Sequence, residues 1–182
     1  FENHCFYPFT ILQMEDVAGN EMVDYHTIVS FYSIERYDIL ITEIMADPTP
    51  QILLPPGEYI EIGNVNGPDT AVLKDWILKI GNTIKLLPEM KIPKNQYAVL
   101  CSNSYLSELQ YYSANCYGLS SLSLTNDGQE LSLINSKNEV IHYVRYSMNW
   151  HTDPIKMDGG WSLEMKDLDN PCNGAENWGS SI

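Results

Sequence analysis

Basic residues are scarce in this chain: 10 Lys and Arg stand against 24 Asp and Glu, a net charge of −14. Nucleic-acid binding draws most of its affinity from cations that neutralise phosphates. The few basic residues are scattered singly, so no nucleic-acid partner is expected, and no anionic lipid surface. No apolar run approaches the roughly 20 residues that a spanning helix needs, and no membrane insertion is expected. The four cysteines, Cys5, Cys101, Cys116 and Cys172, contain no C-x-x-C pair, which removes the usual zinc and dithiol patterns. Their even number leaves disulfides open, with three pairings, beside buried free thiols. No glycosylation sequon and no signal peptide are visible. Phe1 stands where an initiator Met would, so a piece of a longer chain is expected.

Catalytic signatures are missing as well. The four histidines are His4, His26, His142 and His151, and none lies in a nucleophile-elbow or H-E-x-x-H context. No glycine-rich phosphate loop precedes a helix; Gly159-Gly160 is a turn before a strand. No catalytic residues are assigned, and the chain is not expected to be an enzyme.

What is present is β-forming. Twelve Tyr and four Trp favour strands, and ten Pro with eleven Gly supply turns. Glu58-Tyr59-Ile60-Glu61-Ile62 alternates as a half-buried strand does. About eight short strands follow from Asp38 onward, with one helix predicted at 104–112, where Tyr105, Leu106 and Leu109 share a face. Strands and helices do not alternate as a parallel sheet requires. The pattern predicts an all-β sandwich or barrel with at most one short helix. Residues 1–36 read separately, as two strand-like runs around Glu15–Asn20 that make an N-terminal hairpin.

Several segments resemble bacterial lamin-tail domains. Ile41-Thr42-Glu43-Ile44-Met45-Ala46-Asp47-Pro48 is similar to their opening strand, and Glu58–Asn64 to their second. Leu73–Leu78, with Trp76, resembles the third, and Ile92–Leu100 the loop-to-strand step after it. Gly159–Glu164 and Asn170–Trp178 resemble the ending of the bacterial versions. The resemblance implies an immunoglobulin-like β-sandwich over 37–182. It implies carriage on large secreted, periplasmic or surface proteins, beside neighbouring domains of the same chain. Eukaryotic relatives sit on nuclear filaments and bind proteins, and a DNA role reported for some is not carried over to this acidic chain. Residues 1–36, with Asp16 and Ala18-Gly19-Asn20, resemble the closing strands of a bacterial immunoglobulin-like domain, which implies the C-terminal remnant of a preceding domain.

The expected function is therefore a non-catalytic interaction or architectural module of an exported or cell-surface protein, with an unidentified protein or glycan partner. The alternative is a carbohydrate-binding module attached to a hydrolase. Its candidate binding residues are Trp150, His151, Asp153 and Trp178, in polar loops where aromatics could stack on a sugar. Trp76 and Trp161 are expected in the core. No cofactor is expected. Calcium, which takes six to eight oxygens, has weak candidates in Glu43, Asp47 and Glu61, with a second acidic set at Asp153, Asp158, Asp167 and Asp169.

Overall fold

A computed structural model describes residues 2, 3 and 5–182; His4 lies outside the described residues. The chain divides into two compact units, Phe1–Ile34 and Glu35–Ile182.

The first unit is a hairpin. Strand β1 (Cys5–Ile11) pairs antiparallel with β2 (Tyr25–Phe31), from Cys5 opposite Phe31 to Ile11 opposite Tyr25. Asp16 organises the connection: its carboxylate accepts the Ala18 and Asn20 amides at 2.8 and 3.0 Å and the Asn20 side chain at 2.7 Å. Those bonds, the Asn20 side chain foremost, hold the Asp16 carboxyl below the usual carboxylate range. Phe6, Phe9, Ile28 and Phe31 are exposed.

The second unit carries β3 (Ile39–Met45), β4 (Tyr59–Asn64), β5 (Thr70–Val72), β6 (Ile77–Ile80), β7 (Thr83–Leu86), β8 (Lys91–Pro93), β9 (Tyr97–Ser102), β10 (Cys116–Leu119), β11 (Gly128–Ile134), β12 (Val140–Ser147), β13 (Leu163–Met165) and β14 (Trp178–Ser180). One sheet runs β10-β9-β4-β3-β13-β14 and the other β12-β11-β6-β7, with β5-β8 as a small side pair. This is an all-β, immunoglobulin-like sandwich. Ile41, Ile60, Leu78, Leu100, Leu131 and Leu133 are fully buried in it, and Trp76 is 4% exposed.

Between Ile41 and Glu43 the β3–β4 register shifts by a bulge at Thr42. A bulge moves every later side chain to the other face. Ile41 and Ile44 therefore both face the core with Ile62 and Ile60, and Glu43 and Met45 turn outward. On that outward face Met45, Tyr59, Cys101, Leu109 and Cys116 form a second small core, with Leu106 and Tyr105 against it.

Among the described residues there are two short α-helices where at most one is predicted. The expected segment 104–112 contracts to the single turn α1 (Leu106–Leu109), because beyond Leu109 it offers only exposed Tyr111 and Tyr112. A helix this short stands on tertiary packing, not on propensity. The additional turn α2 (Pro154–Met157) has its cause in sequence: Asp153 accepts the Ile155 amide as N-cap, and Pro154 occupies the first turn.

Candidate binding groove

Tyr143 and Arg145 alternate outward along β12. Beside them the segment before β3 brings Arg36 and Tyr37, and a 3-10 turn at Met148–Trp150 brings Trp150. Together with Cys172 they line a groove of about 420 Å³. Ser147 caps the 3-10 turn by accepting the Asn149 amide. The far wall, a loop carrying Pro171 and Cys172, is held by one buried side chain. Asn177, 3% exposed, donates to the Asp167 and Asn170 carbonyls at 2.7 and 2.9 Å and accepts the Asp167 amide at 2.8 Å.

Arg36 and Arg145 are the only arginines in the chain, and both line this groove. Both are exposed, and among the described residues neither guanidinium is ion-paired with a carboxylate. The Arg36 guanidinium lies 4.7 Å from the Tyr37 ring centre, in cation–π range. Tyr37 itself has φ 73, uncommon for a bulky side chain, and its amide donates to the Ile141 carbonyl. Behind it His142 is buried and accepts the Ile41 amide on Nδ1 at 2.9 Å. Burial, reinforced by Arg36, pushes His142 down to about 4, so it stands as a neutral ring edge-on to Tyr37.

Of the sequence-predicted binding residues, Trp150 and Trp178 come together on the groove, and His151 and Asp153 go elsewhere. Trp150 is half-buried on the groove. Trp178, expected to be a surface platform, is 2% exposed and packs against Trp150 with ring centres 5.9 Å apart. The cause is pairing: Trp178 opens β14, opposite Met165 of β13, in a tail that reads as polar. His151 is buried, with Nδ1 2.9 Å from the Ser180 hydroxyl, and lines a separate water-sized cavity of about 30 Å³ with Asp47 and Lys156. Asp153 is exposed and serves as the α2 cap. Trp161, expected in the core, is half-buried beneath Lys156, whose ammonium is 4.1 Å from the ring centre. Residue alternation gave no sign of Arg36, Tyr37 or Arg145. The available signal was the rarity of arginine.

The acidic candidates also divide. Register sets Glu61, Glu43 and Glu164 side by side on β4, β3 and β13. Asp47 is not with them, and instead accepts the Thr49 hydroxyl. Among the described residues no group of three or more His, Cys, Asp or Glu is arranged to hold a metal ion. Asp167 is engaged by Asn170 and the Asp169 amide in a turn. In the glutamate row, Glu43 accepts from the Tyr59 and Ser162 hydroxyls, and Glu61 accepts from Thr42 at 2.7 Å. Burial first, then Glu43 and Glu164, pushes Glu61 up to about 7, against the Thr42 hydrogen bond. A carboxyl that binds its proton more tightly when folded favours folding at low pH. That contribution is lost as pH rises from about 4.5 through 7. Buried His142 acts in the opposite sense, costing stability as pH falls from 6.5 towards 4. Glu61→Gln separates the two. It is expected to match wild type near pH 4 and to be more stable at pH 8, on the order of 1–2 kcal/mol after solvent screening. Urea melts at both pH values read this directly, and equal differences at the two would show that Glu61 is not the proton-binding group.

The lamin tail domain model matches residues 34–148 of the 182. The chain belongs to the lamin tail domain family. Such immunoglobulin-like domains are protein-interaction modules and the family is not an enzymatic one. Neither the comparison with curated proteins nor that with solved structures gives a match. The matched span contains Arg36, Tyr37 and Arg145, whereas Trp150, Cys172, β13 and β14 lie beyond it. The groove of this lamin tail domain is thus built jointly by the family scaffold and the residues after it. No helix among the described residues is long and apolar enough to cross a membrane.

Proposed function

We propose that this lamin tail domain is a non-catalytic interaction module of a larger exported or cell-surface protein, and that its groove takes an acidic segment of a partner protein. One observation carries the reading: a chain with 24 acidic residues places both of its arginines in one aromatic-walled groove, neither of them ion-paired with a carboxylate among the described residues. Arginine binds carboxylates through a planar fork of donors, and aromatic walls supply contact area at low entropy cost. The surrounding negative charge repels an acidic partner at a distance, but salt screens it beyond about 8 Å at physiological strength. Short-range pairing then decides. The exposed apolar hairpin of the first unit supports the reading that residues 1–36 close a preceding immunoglobulin-like domain. A sugar-binding role has less support: both indoles expected to form its platform line the groove, but Trp178 is only 2% exposed and packs against Trp150, which leaves Trp150 as the open ring face.

The test is an array of immobilised random peptides probed with the labelled 182-residue chain. Bound peptides are expected to be enriched in Asp and Glu. Arg36→Gln with Arg145→Gln is expected to weaken them roughly 10- to 100-fold, the size of one or two charge-assisted hydrogen bonds. Binding without acidic enrichment, or unchanged in the double variant, would overturn the proposal.

A further inference from the structure

Cys101 and Cys116 lie on neighbouring strands in the second small core. In the parallel β9–β10 pair, Cys116 is opposite Val99 and Gly118 is opposite Cys101, so the cysteines sit diagonally on one face. Their sulfurs are 3.7 Å apart. Both are buried, at 0% and 7% exposure. Cys172 lies at the groove, and Cys5 belongs to the other unit. We propose that Cys101 and Cys116 form a disulfide that ties the edge strand β10 to β9 and closes the α1 excursion between them.

A disulfide sulfur pair stands about 2.05 Å apart, so closure has to draw the two sulfurs together from 3.7 Å. The step is exchange with a small disulfide such as oxidised glutathione. One cysteine thiolate attacks it and expels a glutathione thiolate, forming a mixed disulfide. The second cysteine attacks that bond and expels the second glutathione. Two protons and two electrons leave the protein, and one glutathione disulfide becomes two thiols. Burial pushes the Cys101 thiol up to about 12 and raises Cys116 as well, so few thiolates form once the core is closed. The bond therefore forms during folding, or when the four-residue strand β10 opens at the sheet edge. Residue separation is 15, a loop long enough for the cross-link to restrict the unfolded chain appreciably.

The test is refolding of the 182-residue chain in a glutathione redox buffer, followed by alkylation and non-reducing peptide mapping. The expected result is a linked pair of peptides holding Cys101 and Cys116, with Cys5 and Cys172 alkylated. Reduction is expected to lower Tm by roughly 5–10 °C. Cys5→Ser with Cys172→Ser keeps that Tm response, and Cys101→Ala loses it. Because the mapping uses wild type, an unfolded variant does not decide the matter. Four alkylated thiols, or a linkage to Cys5 or Cys172, would overturn the proposal.

Discussion

Trp178→Ala is expected to cost roughly 3–5 kcal/mol, because it removes a large side chain from a closed space. Trp178 is 2% exposed, begins the outermost strand of the β13–β14 end, and supports Trp150 from below. The variant loses apolar burial and leaves a cavity that two short strands fill poorly. Trp150→Ala is the informative partner. Its ring is half-buried on the groove, so its removal is expected to cost about 1 kcal/mol of stability and to weaken acidic-peptide binding. Chemical melts of both variants check this. Equal stability losses would mean that the two indoles share one degree of burial and that Trp150 is not a groove wall.

Gly159→Ala is the second large effect. Gly159 has φ +103, a backbone that side chains rarely adopt, and an added Cβ would lie 1.9 Å from the Thr49 carbonyl oxygen. The obstruction is backbone, and the neighbouring Gly160 amide pins the same loop by donating to the Asp47 carbonyl at 2.8 Å. Strain at such a φ costs about 1–3 kcal/mol, and overpacking adds a similar amount. A loss of roughly 3 kcal/mol or more follows. Gly174, at φ +54 with nothing within 4 Å of an added Cβ, isolates the backbone component, and Gly174→Ala is expected to cost only about 1–2 kcal/mol. Equal melts for the two variants would show that the close approach of Gly159 to Thr49 is not a feature of the folded domain.

These residues also show how far the sequence could be read. The alternation of Glu58 to Ile62 is local, and it emerged as a strand with Ile60 and Ile62 inward. The bulge at Thr42 was hidden, since Ile39 to Met45 carries apolar residues at both alternating sets of positions, and only pairing with β4 shows which side Glu43 takes. Trp178 misled for a related reason. A three-residue strand has too few positions for a period, and its burial is decided by Met165 across the β13–β14 pair. Neither nearness nor distance in sequence made the candidate-site residues legible. Trp150, His151 and Asp153 are neighbours in the chain, yet a 3-10 turn, a cavity wall and a helix cap take them to three different tasks. Arg36 and Arg145 meet only because β12 lies beside the segment that enters β3, as the Ile41–His142 and Tyr37–Ile141 hydrogen bonds show. No window of sequence contains that neighbourhood.

On the proposed reading, the arginine groove is where this lamin tail domain meets an acidic partner. The most direct measurement is the amide and indole NMR spectrum of the 20.7 kDa chain, titrated with hexaglutamate and, separately, with hexaglutamine. Hexaglutamate is expected to shift the Trp150 indole and the signals of Arg36, Tyr37 and Arg145, saturably and less at high salt, whereas hexaglutamine leaves them in place. Shifts centred elsewhere, or the same shifts with both peptides, would contradict the claim.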